Sequence, residues 1–210
     1  MASANDIIEA PARIEPARLE ETPEAIADAI AALCSASAAL GARLHPATAA
    51  NLSDLVRVMN CYYSNLIEGH DTRPRDIARA LVGDLDEDEG RRNLQIEAAA
   101  HVRVQEKIDR LAAEDRLPEP ASRNFIRWLH AEFYRDVPQA MLSIRSDHAE
   151  FRMAPGEWRS APEHDVAVGR HIPPSSRSVE PFMAHFERRY RFEGTGPAAR
   201  ILAVVSQIVS

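Results

Sequence analysis

The sequence has little cysteine, few aromatic residues and no excess of positive charge, and each scarcity excludes a class of protein. Its two cysteines, Cys34 and Cys61, lack metal-ligand spacing and are too few for a disulfide framework, so buried thiols in a reducing compartment are expected. Aromatic residues make up 6% of the chain, which together with abundant alanine and leucine favours helix over sheet. The formal net charge of −7 gives no direct evidence for a nucleic-acid partner.

Signals for export and for membranes are also scarce. The first 21 residues lack a positive region followed by an apolar run, so no secretory signal is predicted. We find no apolar stretch of 18 residues in the sequence, and therefore expect no membrane span and no membrane partner. The expected location is the cytoplasm.

Common catalytic motifs do not occur in the chain. There is no G-x-S-x-G nucleophile elbow, no G-x-x-x-x-G-K-[ST] or G-x-G-x-x-G phosphate loop, and no H-E-x-x-H metal motif. Glu68, His70 and Asp71 lie too close in sequence to converge on one metal ion, so no metal site is expected. His101 and His130 fall within helical patterns and are interpreted as surface histidines or satisfied core histidines.

The periodicity predicts a mainly α fold. Residues 1–21 are interpreted as a flexible N-terminal arm, and residues 137–177 as a short hairpin with loops. Helices are predicted over residues 22–40, 46–69, 74–81, 89–115, 122–136 and 179–192, and again from residue 197. In the second helix the apolar residues recur at spacings of three and four and form one face: Leu52, Val56, Met59, Tyr63 and Leu66.

The end of that helix carries the most informative polar residues. Ser64 and Glu68 are four residues apart and share a helix face, and Gly69 is expected to end the helix. Glu68 lies in the last turn, where the negative end of the helix dipole disfavours a carboxylate unless a cation is near. A Glu that simply faces solvent is the alternative. Asp71 or Thr72 is expected to cap the next helix.

The run "SNLIEG", Ser64 to Gly69, resembles the inhibitory motif S/T-x-x-x-E-G/N of Fic (filamentation induced by cyclic AMP) proteins, and its N-terminal position resembles class II members. The later run "APGEWR" resembles the family's Pro-Gly-x-x-Arg element, here Pro155, Gly156 and Arg159. The closing "ARILAVVSQIVS" looks like the helix that leads into the family's catalytic loop. The run that resembles the target-docking flap comprises Asp165, Val166, Ala167, Val168, Gly169, Arg170 and His171.

The resemblance implies a Fic-like helical bundle with a short β-hairpin flap. It implies an N-terminal helical region at residues 22–115, with the inhibitory helix at about 46–69, and an incomplete Fic core at residues 116–210, with the flap at about 159–174. The family's catalytic signature, H-P-F-x-[D/E]-G-N-G-R-x-x-R, does not occur, so no catalytic residue is assigned. We expect a truncated Fic protein, with a natural relative lacking catalysis as the alternative.

The resemblance also implies a function. Fic adenylyltransferases move AMP from ATP, bound with Mg, to a hydroxyl side chain of a target protein. Glu68 would pair with the second arginine of the signature, Ser64 would orient Glu68, and Gly69 would let the chain turn away. This chain alone is expected to be inactive and to bind no cofactor tightly. An all-α protein–protein interaction module, a homodimer for instance, is the alternative, and a related transfer or removal of another phosphate-containing group is a third.

Overall fold

The protein is described by a computed structural model that covers residues 9–16, 23–145, 150–165, 172–191 and 201. Within these ranges it is mainly helical and contains one small antiparallel sheet, as the sequence predicted. The α-helices are α1 (Glu24–Arg43), α2 (Pro46–Ile67), α3 (Pro74–Leu81), α4 (Glu89–Ala113), α5 (Arg123–Tyr134) and α6 (Val179–Arg189). The strands are β1 (Ser143–Arg145) and β2 (Glu150–Arg152), which pair with Ile144 opposite Phe151.

Local sequence signals set most helix boundaries. Asp88 caps α4 by accepting a hydrogen bond from the backbone N–H of Arg91 (2.9 Å), and Ser122 caps α5 by accepting from that of Phe125 (3.2 Å). Proline at the first position opens α2 and α3, where its fixed φ suits the helix and no backbone N–H is required. These caps agree with the helix starts predicted at residues 89 and 122.

The core lies where α2, α3 and α4 meet. Cys61 of α2 and Ile77 of α3 are fully buried, and both belong to a cluster with Ala98 and Val102 of α4. The small side chain of Ala98 allows α2 to approach closely enough for the Cys61 thiol to donate to the Ala98 carbonyl (3.5 Å). The helical region therefore has a compact three-helix core centred on α4.

The predicted apolar face of α2 is not the buried one. Leu52, Val56, Tyr63 and Leu66 are all exposed, whereas Cys61 faces α4. The residues do share one face of the observed helix. That face is exposed because α2 carries apolar side chains on two sides, and the side that fits against small residues of α4 is the one that packs.

Helix α4 continues the packing towards α5 across the boundary expected near residue 115. Lys107 pairs with Glu132 (2.7 Å) and lies over the ring of Trp128, 5.3 Å from its centroid. Arg103 donates to the carbonyl of Glu132 (3.4 Å). The two predicted regions thus share a packed helix pair.

Helix α1 packs little against the other described elements, and Ile30 is its one buried residue. Nine of its 20 residues are alanines, and by length and composition alone it could cross a membrane, a test that core helices and signal sequences also pass. The expectation that no such stretch exists was wrong. Each alanine is only weakly apolar, and the hydropathy of the helix comes from the sum of many alanines.

The N-terminal arm is partly described. Residues 9–16 include a 3₁₀ turn, Pro11–Ile14, that packs against α6. Glu15 anchors this turn by accepting from Arg189 (2.7 Å) and lying 2.9 Å from the buried His185. This part of the arm has a defined place on the body, whereas Thr22 and the predicted helix after residue 197 lie outside the described residues, apart from helical Ile201.

Candidate functional site

Glu68 lies immediately after the last residue of α2, as the C-cap. Its backbone N–H donates to the carbonyl of Ser64 (3.2 Å), and its side chain is exposed. In the part of the chain that the structure describes, the carboxylate has no ion pair and no hydrogen bond, including none with the Ser64 hydroxyl. A negative charge at the negative end of a helix is thus left to solvent.

Gly69 ends α2 as the sequence predicted. Its φ of 82° is in the left-handed region that a side chain disfavours. The N–H of Gly69 donates to the carbonyl of Leu66 (3.1 Å), and that of His70 donates to the carbonyl of Asn65 (2.8 Å), which closes the last turn. The chain consequently turns sharply just after Glu68.

The segment that follows Glu68 has its own electrostatic arrangement. Asp71 lies 3.6 Å from Arg73, and the N-cap of α3 is Arg73, which makes no side-chain cap. The prediction that Asp71 or Thr72 caps α3 was therefore wrong. Thr72 is instead buried, and its hydroxyl has no hydrogen-bond partner among the described residues.

A polar cavity of about 640 Å³ opens beside this segment. Its lining combines arginines with aspartates, and Arg79 is already paired with Asp84 through two hydrogen bonds (2.7 and 3.1 Å). Four arginines line it: Arg73, Arg75, Arg79 and Arg91. Asp71, Asp76 and Asp86 line the same cavity, so most of this positive charge is compensated locally.

The segment that resembles the flap is described only at its two ends. Val166, Ala167, Val168, Gly169, Arg170 and His171 lie outside the described residues. Neither residues 159–165 nor residues 172–174 form a strand, and the observed hairpin lies upstream, at residues 143–152. The hairpin predicted for residues 137–177 is present, at a position earlier than the flap.

Arg159 holds the two ends of that segment together. Its guanidinium donates to Asp165 Oδ1 (3.2 Å) and to the carbonyl of Pro174. Asp165 Oδ1 also accepts from the backbone N–H of Ser176 (2.6 Å). The arginine of the Pro-Gly-x-x-Arg element therefore joins Asp165 and Pro174, the described residues on either side of this segment.

The N-terminal arm also contacts the residues that follow this segment, Ile172 and Ser175. Glu9 accepts from the N–H and from the hydroxyl of Ser175, each at 3.0 Å, and Arg13 donates to the carbonyl of Ile172 (3.0 Å). Hydrogen bonds from Ser178 and from Ser175 lower the pKa of Glu9, so it remains a charged acceptor at neutral pH. No sequence pattern indicates these contacts, which join residues more than 150 positions apart.

The Pro155–Gly156 turn is fixed against α5 by a histidine. The backbone N–H of Gly156 donates to Nδ1 of His130 (2.7 Å), and Arg127 donates to the carbonyl of Gly156 (2.7 Å). Burial lowers the pKa of His130, which keeps the imidazole neutral and able to accept at Nδ1. His130 thus positions the Pro155–Gly156 turn through Nδ1, whereas its Nε2 has no hydrogen-bond partner among the described residues.

Beside this turn lies a pocket of about 370 Å³ that the sequence did not reveal. Residues of α5, of both strands, of the segment after Gly156 and of α6 line it, so they come from distant parts of the chain. Its apolar lining is Ile126, Ile144, Phe151, Met153, Trp158 and Val179, and His130 and His164 add polar atoms. A search for aromatic residues flanking the Pro-Gly turn would have suggested Phe151 and Trp158 but not their partners.

The two halves of the predicted site remain separate in the described structure. No hydrogen bond or ion pair joins Ser64, Glu68 or Gly69 to Asp165 or to Arg159 in these ranges. Among the described residues no group of three or more His, Cys, Asp and Glu side chains is placed to hold a metal ion. Compared with known proteins, the chain matches no protein-family model, no curated protein and no solved structure.

Proposed function

We propose that this chain is the regulatory and target-docking portion of a Fic-type protein adenylyltransferase, with Glu68 as the inhibitory carboxylate. The observation that supports the proposal most is the position of Glu68: it lies one residue beyond α2, exposed and unpaired among the described residues, beside a glycine turn. A charge left in that position is unfavourable by itself and becomes favourable when a guanidinium reaches it.

The proposed inhibition follows from charge pairing. An arginine that binds the phosphates of ATP would be held by Glu68 instead, through a charge-assisted contact of up to about 3 kcal/mol. Ser64 lies one turn earlier on the same face, and a rotation of its hydroxyl would allow it to orient the Glu68 carboxylate.

The target-docking part of the proposal concerns the segment that resembles the family's flap, whose described flanks Arg159 joins. In this proposal the segment pairs through its backbone with an extended stretch of the target, and such pairing tolerates many target sequences. The target supplies the hydroxyl that accepts AMP. Because the contacts would be with backbone, the side chains here do not specify the target.

ATP and Mg would require groups beyond those described. The family's phosphate-binding loop is not in the 210 residues, and the described residues hold no cluster of metal ligands, so the residues present do not fit this cofactor and no catalytic step is derived through it.

The test joins the chain to a segment carrying the catalytic signature and measures transfer of radiolabel from α-labelled ATP to protein. Glu68→Gly and Glu68→Gln should each raise transfer strongly, at least tenfold, because a contact of 1.4 kcal/mol or more is removed. Glu106→Gln is the matched control, since Glu106 is also exposed and lies on α4. Equal transfer by wild type, the Glu68 variants and the control would contradict the proposal.

A second candidate function, an interaction module, is favoured by the exposure of α1. Leu33 and Leu40 are more than half exposed on a helix that packs little against the described body. If α1 joins two copies, sedimentation of wild type should show a concentration-dependent dimer, and Leu33→Glu with Leu40→Glu should give monomers. A wild-type chain that stays monomeric at all concentrations would exclude this function for α1.

A further inference from the structure

The pocket beside the Pro155–Gly156 turn has the features of a small-molecule site. Its volume of about 370 Å³ lies near the lower end of the range of roughly 300–1,000 Å³ that ligand pockets occupy, so it suits one ring with a substituent and not a nucleotide. Its lining is mostly apolar, with few polar atoms, as is usual for pockets that bind small organic ligands.

Aromatic groups give the pocket a preference for flat ligands. The rings of Phe151 and His164 lie 4.4 Å apart at 32°, and Trp158 lines the same space. Offset and tilted contacts between rings contribute free energy beyond that of the buried area. A planar ring that enters the pocket can make such contacts, whereas a puckered saturated ring of the same size cannot.

Two imidazoles give the pocket hydrogen-bond donors. Nδ1 of His130 accepts from the N–H of Gly156 (2.7 Å), and Nδ1 of His164 accepts from the N–H of Ser160 (3.5 Å). An imidazole that accepts a hydrogen bond at Nδ1 carries its proton on Nε2. Neither Nε2 atom has a hydrogen-bond partner in the described ranges, so both can donate to a ligand.

The charged side chains of the lining are already paired with one another or with backbone. Arg127 pairs with Glu157 (2.6 Å), and Arg159 is held by Asp165 and the carbonyl of Pro174. The described lining residues therefore offer no uncompensated charge, and a neutral ligand suits the pocket better than an ion.

From these observations we infer that the pocket binds a small neutral aromatic molecule carrying one hydrogen-bond acceptor, such as an amide or ketone oxygen. The site is independent of the proposed transfer reaction. The ring of the bound molecule contacts Phe151 and Trp158, and its acceptor atom receives a hydrogen bond from Nε2 of His164 or His130.

Benzamide is a suitable probe, with cyclohexanecarboxamide as its saturated match. The two tryptophan indole N–H resonances serve as reporters, because Trp158 lines the pocket while Trp128 lies under Lys107 on the other side of α5. Benzamide should shift the Trp158 resonance saturably, with a Kd on the order of 1 mM for so small a ligand, and leave that of Trp128 unchanged. Cyclohexanecarboxamide should bind about 2- to 10-fold more weakly.

Variants separate the ring contact from the hydrogen bond. His164→Phe keeps a ring beside Phe151 but removes the donor, and should weaken benzamide about 2- to 10-fold while leaving benzene binding unchanged. Ile126→Trp should fill the pocket and abolish the binding of benzamide and of benzene. Val82→Trp, at an exposed position after α3, should leave the binding of both ligands unchanged. The folding of each variant is checked by circular dichroism.

Absence of a saturable response of the Trp158 resonance to benzamide would overturn the inference. This measurement uses the wild-type protein and needs no variant. Equal binding of the saturated amide would overturn the preference for a planar ring. Unchanged benzamide affinity in both His164→Phe and His130→Phe would overturn the role of the imidazole donors.

Discussion

Replacing Gly156 by alanine tests the packing on which the loop and the pocket both depend. A Cβ atom at residue 156 would lie 3.0 Å from the Cβ of Ala131 and 3.1 Å from the carbonyl oxygen of Arg127. Both are parts of α5 that cannot move independently of the helix. The backbone φ of 83° adds a conformational cost for any side chain.

Two terms contribute to the expected loss of stability. The left-handed conformation costs roughly 1–2 kcal/mol for a non-glycine residue, and overpacking costs roughly 1–3 kcal/mol. Gly156→Ala should therefore lower the free energy of unfolding by about 2–5 kcal/mol. Relief of the clash by withdrawal of the turn would also lengthen the hydrogen bond to His130.

Gly69→Ala is the matched control. Gly69 has nearly the same φ, 82°, but no atom lies within 4 Å of its ideal Cβ position. The Gly69→Ala variant should lose only the conformational contribution to the free energy of unfolding, about 1–2 kcal/mol. Urea denaturation followed by circular dichroism at 222 nm measures both. If the two variants lose equal stability, the close approach of the Gly156 turn to α5 is refuted.

Two further predictions concern a thiol and a carboxylate. Burial raises the pKa of Cys61 to about 11, so only about a thousandth of the Cys61 thiol is ionised at pH 8. A thiol reagent should therefore label Cys34 in the native protein and Cys61 only after unfolding. Rapid labelling of both cysteines in the native protein would contradict the burial of Cys61. Hydrogen bonding to Arg189 lowers the pKa of Glu15 below 4.5, so the contribution of Glu15 to arm docking is fully present above pH 4.5 and is lost as pH falls through the lowered pKa. The protection of the backbone amides in Pro11–Ile14, measured as the exchange rate relative to the intrinsic rate at the same pH, should fall at that pH, and Glu15→Gln should lower it at pH 7. Protection that is independent of pH and of the substitution would show that Glu15 does not hold the arm.

Elements with strong local signals were predictable from the sequence. Helix α3 begins and ends at the predicted residues, because Pro74 fixes the first turn and Gly83 follows its end at a φ of 81°. The end of α2 at Gly69 was predictable for the same reason. These signals act over a few residues and need no knowledge of the tertiary structure.

Features that depend on distant residues were not predictable. The buried side of α2 is decided by Ala98 and Val102, which lie more than 35 residues away from Cys61. Each strand has only three residues, too few to show an alternating pattern. The aromatic pocket combines residues from Ile126 to Val179, and no spacing along the chain indicates that they meet.

The closure by Arg159 has a consequence for how this fold tolerates change. Asp165 and Pro174 are fixed to each other by contacts that involve none of the residues between them. Removal of the Arg159 guanidinium would therefore release Asp165 and Pro174 from residue 159 together, whatever sequence lies between them. One side chain thus controls how two positions nine residues apart are held.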